Sequence, residues 1–278
     1  MLTDRDVHTV PMVLGLRSAL GSDVGRRRTS NQDSGATTGR LLIVADGMGG
    51  HAHGEIASAT TVSVFTELES RLPQDLTDID LAAEMIEALN DATDRLARRA
   101  ADEPEMRGMG TTVVSLLLTG DQLALAHIGD SRIYLLRDGE LSRLTHDHTM
   151  VQQLVDQGQI TLEEAAHHPR RSVLMRALST DHAPEPDLDR VDILVGDRYL
   201  LCSDGVTAVL DDDVLHRELA SGAEPEQVVD ELIRLANEGG GPDNITAIVA
   251  DVVEVDDAGG PGQDLRIAGA VAEIATAD

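Results

Sequence analysis

The sequence predicts an α+β fold in which helices cover antiparallel β-sheet. Short β-rich runs follow one another through tight turns, most clearly where Arg137-Asp138-Gly139 separates residues 133–136 from residues 140–144, which is typical of a β-hairpin. Two long stretches instead repeat apolar residues at helical spacing. Because hairpins join antiparallel strands, these patterns favour antiparallel sheets over a doubly wound parallel sheet.

The N-terminal part of the chain is predicted to contain two strands and two helices. The pattern of residues 12–24 is typical of a strand, and the five apolar residues 41–45 indicate a buried strand. Residues 55–72 and 80–101 are predicted to be amphipathic helices, the first ending at Pro73. Their apolar faces are expected to cover a sheet.

The remaining elements are shorter. Strands are expected over 110–118, 122–128, 133–136, 140–144, 191–195, 198–202 and 245–255, with 191–195 and 198–202 as a pair, and helices over 211–219 and 224–237. Between about 145 and 183 the pattern breaks into a short helix and a polar loop, which predicts a flap inserted between strands. Residues 256–278 are rich in Gly and Ala and predict a flexible tail, so we expect one domain over residues 1–255.

Composition excludes several classes of function. A net charge of −28 and an aromatic content of 1% disfavour nucleic-acid binding, which needs a basic surface and stacking rings. All 22 basic residues are arginine, which excludes Schiff-base lysine chemistry and the lysine of protein kinases. The single cysteine, Cys202, excludes an intrachain disulfide and a cysteine metal cluster and is expected in the core. No apolar run approaches the length of a membrane span, so we expect a soluble cytoplasmic protein.

One local pattern recurs at the ends of predicted strands. Asp46, Asp130 and Asp204 each follow an apolar run and adjoin a glycine, and Asp243 lies in a glycine-rich loop just before the last strand. A single Asp-Gly pair is most often a turn. Four such aspartates at one end of a sheet would form a hard-cation site, because carboxylate oxygens are the ligands that Mg²⁺ and Mn²⁺ prefer.

A polar segment, residues 22–34, precedes this pattern and includes Asp33. Its three consecutive arginines, Arg26, Arg27 and Arg28, are typical of a solvated surface cluster. Next to a carboxylate site, one of them is instead a candidate for binding phosphate.

Four histidines lie in the predicted flap, namely His146, His148, His167 and His168. They lack a third ligand at fixed helical spacing, so we expect surface or hydrogen-bonding roles rather than zinc ligation. His51, close to the central Asp-Gly turn, is expected to be structural.

Six short motifs occur in a fixed order: SDVGRRRTSNQDS, LLIVADGMGG, GTT, HIGDSR, LLCSDG and GGPDNIT. Over residues 12–254 the chain therefore resembles the metal-dependent protein phosphatase family of type 2C, in its bacterial Ser/Thr protein phosphatase branch. The resemblance implies a four-layer α/β/β/α sandwich of two antiparallel sheets flanked by helices, with a flap. It also implies a hydrolase that removes phosphate from phosphoserine and phosphothreonine in proteins and so reverses bacterial Ser/Thr kinase signalling.

The resemblance also implies a ligand set for Mn²⁺ or Mg²⁺. The implied ligands supply oxygen atoms to two core ions and to a third, more weakly held ion. Asp46 bridges the two core ions. The Gly47 carbonyl, Asp204 and Asp243 are the implied ligands of the first ion, Asp33 of the second and Asp130 of the third. Arg28, by its spacing to Asp33, matches the family's phosphate-binding arginine. The flap then adjoins the substrate cleft, with Ser172 near the third ion.

The implied reaction needs no protein nucleophile. A hydroxide that bridges the two core ions attacks phosphorus while Arg28 and the ions hold the phosphoryl oxygens, so Arg28, Asp33 and Asp46 are the expected catalytic residues. Phosphorylated proteins, including Ser/Thr kinases, are the expected partners. We expect a monomer with no nucleic-acid partner and no membrane segment.

Three positions depart from the family pattern. Met48 occupies the place where animal and plant relatives have a histidine credited as general acid, Gln32 stands where many relatives have glutamate, and Ala208 replaces a commonly polar residue. None of these replaces an implied metal ligand, so the resemblance implies an active enzyme. The leaving alcohol is then expected to take its proton from metal-bound water.

Two alternatives to a general protein phosphatase stay open. One is a partner-switching phosphatase that acts on an anti-sigma-antagonist; such relatives usually carry a sensor domain, for which we expect no spare length. The other is a non-catalytic phosphoprotein-binding relative. That relative is expected to lack Asp46, Asp204 or Asp243, all of which are present.

Overall fold

The computed structural model describes residues 12–49, 53–73, 75–76, 78–180, 184–256 and 264–276. The strands are β1 (Met12–Asp23), β2 (Asp33–Thr37), β3 (Leu41–Met48), β4 (Gly110–Thr111), β5 (Val113–Thr119), β6 (Gln122–Ile128), β7 (Arg132–Arg137), β8 (Glu140–Arg143), β9 (Leu178–Ser179), β10 (Asp187–Asp192), β11 (Arg198–Cys202), β12 (Ile245–Asp256) and β13 (Arg266–Gly269). The helices are α1 (Gly54–Arg71), α2 (Leu81–Asp102), α3 (Met150–Asp156), α4 (Leu162–Ala166), α5 (Asp204–Thr207), α6 (Asp212–Leu219), α7 (Pro225–Glu238) and α8 (Ala270–Ala275), with a 3-10 turn at Pro104–Met106.

The strands form two antiparallel sheets that pack face to face. The first sheet has the order β1-β12-β11-β7-β8 and the second the order β10-β6-β5-β3-β2-β13, with β4 and β9 added beside β3. Successive side chains of β3 alternate between the two sides of its sheet. Leu42 and Val44 pack into the apolar layer between the sheets, whereas Leu41, Ile43 and Ala45 pack into the layer beneath the helices. Burial on both sides explains why this strand is a continuous apolar run.

Helices cover the outer face of each sheet. Phe65 of α1 and Leu89 of α2 are buried against the second sheet, and Leu215 of α6 and Leu232 of α7 are buried against the first. The predicted four-layer α/β/β/α sandwich is therefore confirmed. Among the residues described, no helix combines the length and the apolar character needed to cross a membrane.

The predicted hairpin is the connection between β7 and β8. Asp138 and Gly139 at its tip have φ values of 52° and 81°, the left-handed values that a two-residue type I′ turn requires. Arg137 and Glu140 pair across the base of this turn. The Asp-Gly signal in the sequence therefore predicted the turn, and the structure adds the register, with Arg137 in the strand rather than in the turn.

The predicted pairing of residues 191–195 with residues 198–202 is wrong. β10 ends at Asp192 and pairs with β6 in the second sheet, whereas β11 lies between β7 and β12 in the first. Leu194 and Val195 are exposed in the turn that crosses between the sheets. Two β-rich runs joined by a short turn look like a hairpin in the sequence, because local pattern does not encode sheet membership.

The prediction of a flexible tail is wrong for residues 266–275. β13 pairs with the edge strand β2, and α8 packs against α1. Ile267 and Val271 contact the apolar core around α1, and the Val271 N–H donates a hydrogen bond to Ser34 Oγ at 3.1 Å. Small and medium apolar side chains suffice here because they fit a surface that α1 and β2 already form. Residues 257–263 and 277–278 of the predicted tail lie outside the described part of the chain.

The described part of the predicted flap contains two capped helices. Thr149 before α3 and Thr161 before α4 each accept a hydrogen bond from a backbone N–H of the helix's first turn. The Met150 N–H donates to the Val173 carbonyl oxygen at 2.9 Å. The flap is therefore an ordered insertion that closes on itself.

Gly205 is expected to tolerate no side chain. A methyl group there would overlap the Asn244 carbonyl oxygen, which is backbone and has no rotamer through which to move away. We expect Gly205→Ala to lower the free energy of unfolding by about 3 kcal/mol, as overpacking does. Gly120→Ala is the matched control: its φ of 58° disfavours alanine but nothing lies within 4 Å, so we expect a loss of about 1 kcal/mol. Urea denaturation measures both losses, and equal values would contradict the steric explanation.

Candidate metal centre

Five aspartates lie together at one edge of the sandwich. Asp33 and Asp46 are paired neighbours on β2 and β3, Asp130 follows β6, Asp204 begins α5 and Asp243 precedes β12. The charges of the other four all raise the pKa of the Asp46 carboxyl, so the five groups lie within electrostatic reach of one another. The structure thus brings together all the aspartates that the sequence analysis singled out.

Two threonines hold the Asp46 backbone in place. The Asp46 N–H donates to Thr112 Oγ1 at 3.0 Å, and the Asp46 carbonyl oxygen accepts from the Thr112 N–H and the Thr111 hydroxyl, both at 2.9 Å. Thr112 Oγ1 also lies 2.7 Å from Ser131 Oγ, next to Asp130 in the chain. Sequence reasoning recognised the GTT motif but gave it no role; it connects the Asp46 strand to the Asp130 loop.

The backbone around Gly47 is tightly packed. Its N–H donates to the Gln32 carbonyl oxygen at 3.1 Å, and a side chain on Gly47 would overlap the carbonyl oxygens of Gln32 and Gly54. The Gln32 side chain, which departs from the family pattern, donates through Nε2 to Glu55 Oε2 at 3.0 Å. Glycine is therefore required at this position of β3, next to Asp46.

Burial makes the carboxyl groups of this cluster unusually weak acids. It is the largest cause that raises the pKa of Asp33 to about 7, of Asp204 to about 6 and of Asp130 to about 8. Ser203 Oγ donates to Asp33 Oδ2 at 2.7 Å, but the buried Oδ1 atoms of Asp33 and Asp204 have no hydrogen-bond partner in the described structure. Unpartnered buried oxygens within a carboxylate cluster fit a bound cation.

Asn244 anchors the polar segment that carries Arg28. Its Nδ2 donates to the carbonyl oxygens of Val24 and Ser30, both at 2.9 Å, and its Oδ1 accepts from the Gln32 N–H at 2.9 Å. Sequence reasoning missed this residue. Its position inside the GGPDN motif was the available signal.

Arg28 places a guanidinium at the edge of the cluster. Its Nη2 lies 2.7 Å from Asp243 Oδ2, and its side chain is 45% exposed. Arg26 and Arg27 instead contribute their backbone N–H groups to the Gly241 carbonyl oxygen. Because Arg28 is partly solvated and adjoins the carboxylates, it remains accessible to an anion that approaches the cluster.

A cavity of about 440 Å³ lies between the carboxylates and the flap. Asp130, Asp204 and Asp243 line it from the sandwich, and Arg171 and Ser172 line it from the flap. Ser172 thus shares a cavity with Asp130, as its predicted place near a third ion requires.

Three of the flap histidines make side-chain hydrogen bonds. His146 Nε2 lies 2.8 Å from Asp156 Oδ2, His148 Nδ1 accepts from the Gly129 N–H at 3.1 Å, and His168 Nδ1 accepts from the Arg170 N–H at 3.1 Å. The expected hydrogen-bonding role is confirmed for these three histidines. His51 lies outside the described residues.

The donor set of the cluster fits a hard divalent cation. Carboxylate oxygens are the gathered groups, with the Gly47 carbonyl oxygen next to Asp46 in the chain, and such oxygen ligands favour Mg²⁺ or Mn²⁺ over zinc. A bound cation would also offset the repulsion among the aspartates, which Arg28 offsets in part through its ion pair.

Comparison with protein families and curated sequences gives consistent matches. The family model described as Protein phosphatase 2C matches residues 21–248. The serine/threonine protein phosphatase PstP of Mycobacterium tuberculosis is 47% identical over 245 residues, which are 88% of this chain and 46% of that protein. The serine/threonine phosphatase stp of Listeria welshimeri is 34% identical over 235 residues, 83% of this chain and 93% of that protein. The chain thus spans about half the length of PstP and most of the length of stp.

A solved structure shares the fold. The catalytic domain of the serine/threonine protein phosphatase PstP, in complex with two manganese ions, has a TM-score of 0.80 and 46% identity. The match covers 86% of this chain and 99% of that one. The similarity therefore extends over nearly the whole sandwich.

The raised pKa values predict how the stability of the metal-depleted protein depends on pH. A raised pKa means that the folded state favours the protonated carboxyl, so this stabilisation is present at low pH and is lost as the pH rises through about 6 to 8, the values for Asp204, Asp33 and Asp130. The asparagine side chain of the Asp130→Asn variant cannot ionise. We therefore expect its free energy of unfolding to rise relative to wild type by at least about 1 kcal/mol between about pH 5 and pH 9.

Urea denaturation in the presence of a chelator measures this difference. Asp121→Asn, in an exposed turn, removes the same charge away from the cluster and is the matched control. Parallel stability curves for wild type and Asp130→Asn would contradict the prediction.

Proposed function

Because the chain belongs to the protein phosphatase 2C family, we propose that it is a metal-dependent phosphatase that hydrolyses phosphoserine and phosphothreonine in proteins. The convergence of five aspartates and Arg28 beside a cavity is the observation that carries this proposal. Carboxylates bind divalent cations, and cations together with a guanidinium bind phosphate oxygens. The site therefore suits a phosphoryl group.

Mn²⁺ or Mg²⁺ is the proposed cofactor, with two core ions and a third. The proposed ligands are Asp46 as the bridge between the core ions, the Gly47 carbonyl, Asp204 and Asp243 at the first ion, Asp33 at the second and Asp130 at the third. When bound, such ions acidify a water nucleophile and offset the negative charge of the phosphoryl oxygens. The chain's own part is to fix the ligands: Thr112 holds the Asp46 backbone, and Ser203 holds one oxygen of Asp33.

Water is the proposed nucleophile, because Cys202 and Ser203, which directly precede Asp204 in the chain, are not available as nucleophiles. Cys202 is fully buried, and burial raises the pKa of its thiol to about 12, so it does not form a thiolate near neutral pH. Ser203 is also buried, and its hydroxyl donates to Asp33.

Arg28 is proposed to hold the phosphoryl oxygens. A guanidinium makes two parallel hydrogen bonds to a phosphate, and Arg28 is exposed enough to exchange its bond to Asp243 for such a pair. This local positive charge matters because the net charge of −28 repels an anionic substrate at long range. Met48 has no proton to donate, so we propose that the leaving alcohol takes its proton from water in the cavity.

Phosphorylated proteins, among them Ser/Thr kinases, are the proposed substrates, and reversal of kinase signalling in the cytoplasm is the proposed role. The names of the relatives, serine/threonine phosphatases, support this substrate class. The alternative of a binding module without catalysis is less favoured, because Asp46, Asp204 and Asp243 are all present and clustered. We further propose that the protein acts as a monomer and that its catalytic domain includes β13 and α8.

Loss of the Asp46 carboxylate should abolish most activity. We expect wild type to hydrolyse a phosphothreonine peptide only with Mn²⁺ or Mg²⁺, and Asp46→Asn to lower kcat/KM about a thousandfold, because the ligand proposed to bridge both core ions loses its charge. Asp138→Asn is the matched control: it removes one carboxylate at a hairpin tip where asparagine accepts the left-handed φ of 52°. The rate of phosphate release measures the activity of all three proteins. Equal activity of wild type and Asp46→Asn, or no turnover with either ion, would rule the proposal out.

Removal of the Arg28 guanidinium should weaken substrate binding. We expect Arg28→Ala to lower kcat/KM by about 10- to 100-fold, mainly through a higher KM, since charge-assisted hydrogen bonds to the phosphate are lost. Arg26→Ala, two residues away and exposed, should stay within about threefold of wild type. Steady-state kinetics at saturating Mn²⁺ separate KM from kcat, and similar losses for both variants would point to general electrostatics instead.

A further inference from the structure

His148 lies where three parts of the molecule meet: the Asp130 loop, the flap and β10. It makes two hydrogen bonds to Gly129, the residue before Asp130. The Gly129 N–H donates to His148 Nδ1 at 3.1 Å, and the His148 N–H donates to the Gly129 carbonyl oxygen at 2.8 Å. Gly129 has a φ of 109°, which other residues rarely adopt, and both of its backbone polar groups are held by one histidine. The direction in which the chain enters Asp130 is therefore set by His148.

The other nitrogen of the His148 ring reaches β10. Nε2 lies 2.9 Å from Asp187 Oδ2. Because Nδ1 accepts a hydrogen bond from a backbone N–H, the neutral ring carries its proton on Nε2 and donates it to Asp187. Burial is the main cause that lowers the pKa of this imidazole, which favours the neutral form that the pattern requires.

The far end of the flap is also attached to His148, which lies near the start of the flap. Arg176 Nη1 donates to Asp187 Oδ1 at 2.7 Å, and the Met175 N–H donates to the His148 carbonyl oxygen at 2.7 Å. Behind the ring lies His127, fully buried, with its ring centroid 4.5 Å from that of His148. His148 is therefore fixed on every side by the flap, β10 and β6.

A metal ion is the competing explanation for this arrangement. His127, His148 and Asp187 each offer a ligand atom within 4.8 Å of one another, and the His127 ring nitrogens have no hydrogen-bond partner among the residues described. However, a histidine that binds metal through Nε2 normally donates from its other nitrogen, whereas His148 Nδ1 accepts. The Arg176 guanidinium also lies 3.2 Å from His148 Nε2, and its charge repels a cation. The contacts therefore favour a hydrogen-bonded relay, which runs from Gly129 through His148 to Asp187 and Arg176, over a metal site.

We propose that His148, near the start of the flap, is a positioning residue that sets the Asp130 carboxylate through Gly129 and connects it to the far end of the flap through Asp187 and Arg176. This inference rests on the proposed function, in which Asp130 holds the third and weakest ion. It predicts that the acceptor at Nδ1, rather than the bulk of the ring, supports that ion. It also predicts a smaller effect of Asp187, which acts one hydrogen bond further away.

Two substitutions of His148 test the roles of the two ring nitrogens separately. Asparagine places an oxygen near the position of Nδ1 and so keeps an acceptor for Gly129 but loses Asp187, whereas glutamine reaches toward Asp187 and loses that acceptor. We expect His148→Gln to weaken the weakest class of bound Mn²⁺ by about 10- to 100-fold, as loss of an outer partner of a ligand does, and His148→Asn, which loses only the Asp187 contact, to weaken it by about threefold to tenfold. Electron paramagnetic resonance of free Mn²⁺ during a titration measures this binding without any turnover, with Asp130→Asn as the reference that lacks the weakest class.

A second pair of variants avoids any change in the core. Asp187 is 48% exposed, so Asp187→Ala should fold normally, and we expect it to weaken the same class of Mn²⁺ by about threefold to tenfold. Asp189→Ala, on the same exposed strand, should leave Mn²⁺ binding unchanged.

The possible outcomes separate this inference from the proposed function. Weak Mn²⁺ binding that is weakened most in His148→Gln, less in His148→Asn and Asp187→Ala, and not at all in Asp189→Ala supports the relay. Equal effects of the two His148 variants, unchanged binding in His148→Gln, or Zn²⁺ binding that requires His127 overturn it while leaving metal-dependent turnover of the wild type intact. Absence of turnover in the wild type would overturn the proposed function itself, and absence of a weak Mn²⁺ class would overturn the relay.

Discussion

Repulsion among five aspartates at one edge of the sandwich is the interaction on which the rest of the site depends. Burial and mutual charge disfavour the ionised carboxylates, so the fold must hold them together by other means. Backbone contacts do so: Thr112 fixes Asp46, and Asn244 ties the Arg28 segment to the first sheet. The absence of a side chain at Gly205 lets two backbone segments of the site meet. Because these buried carboxylates repel one another, the site is suited to cations.

Some arginines of this lysine-free chain stabilise the fold through buried ion pairs. Arg198 makes two hydrogen bonds to Asp251, at 2.6 and 2.9 Å, and is buried, as expected for a planar guanidinium that stabilises the first sheet. Arg132 likewise binds Asp147 through two nitrogens. Arg28 differs, because it is half-exposed and pairs with an aspartate of the cluster. Its exposure leaves the guanidinium accessible to an anion that approaches the cluster.

The flap and the Asp130 loop form one hydrogen-bonded unit rather than two separate features. His148 contacts Gly129 on one side and the flap backbone at Met175 on the other. The cavity that borders the carboxylates is lined by the flap as well as by the sandwich. Residues that line the cavity and residues that place a carboxylate are consequently linked in the structure.

The sequence by itself predicted most of the elements and the members of the carboxylate cluster. Alternation and helical spacing predicted β1, α1 and α2, the Asp-Gly signal predicted the β7–β8 hairpin, and the repeated aspartates identified the cluster, because these properties depend on neighbouring residues. Only the tertiary structure decided that β10 belongs to the second sheet and that β13 covers the edge of β2. It also decided the roles of Thr112, Asn244 and His148. Asn244 binds the backbone at Val24, 220 positions earlier in the chain, and no local period records a side chain that reaches distant backbone.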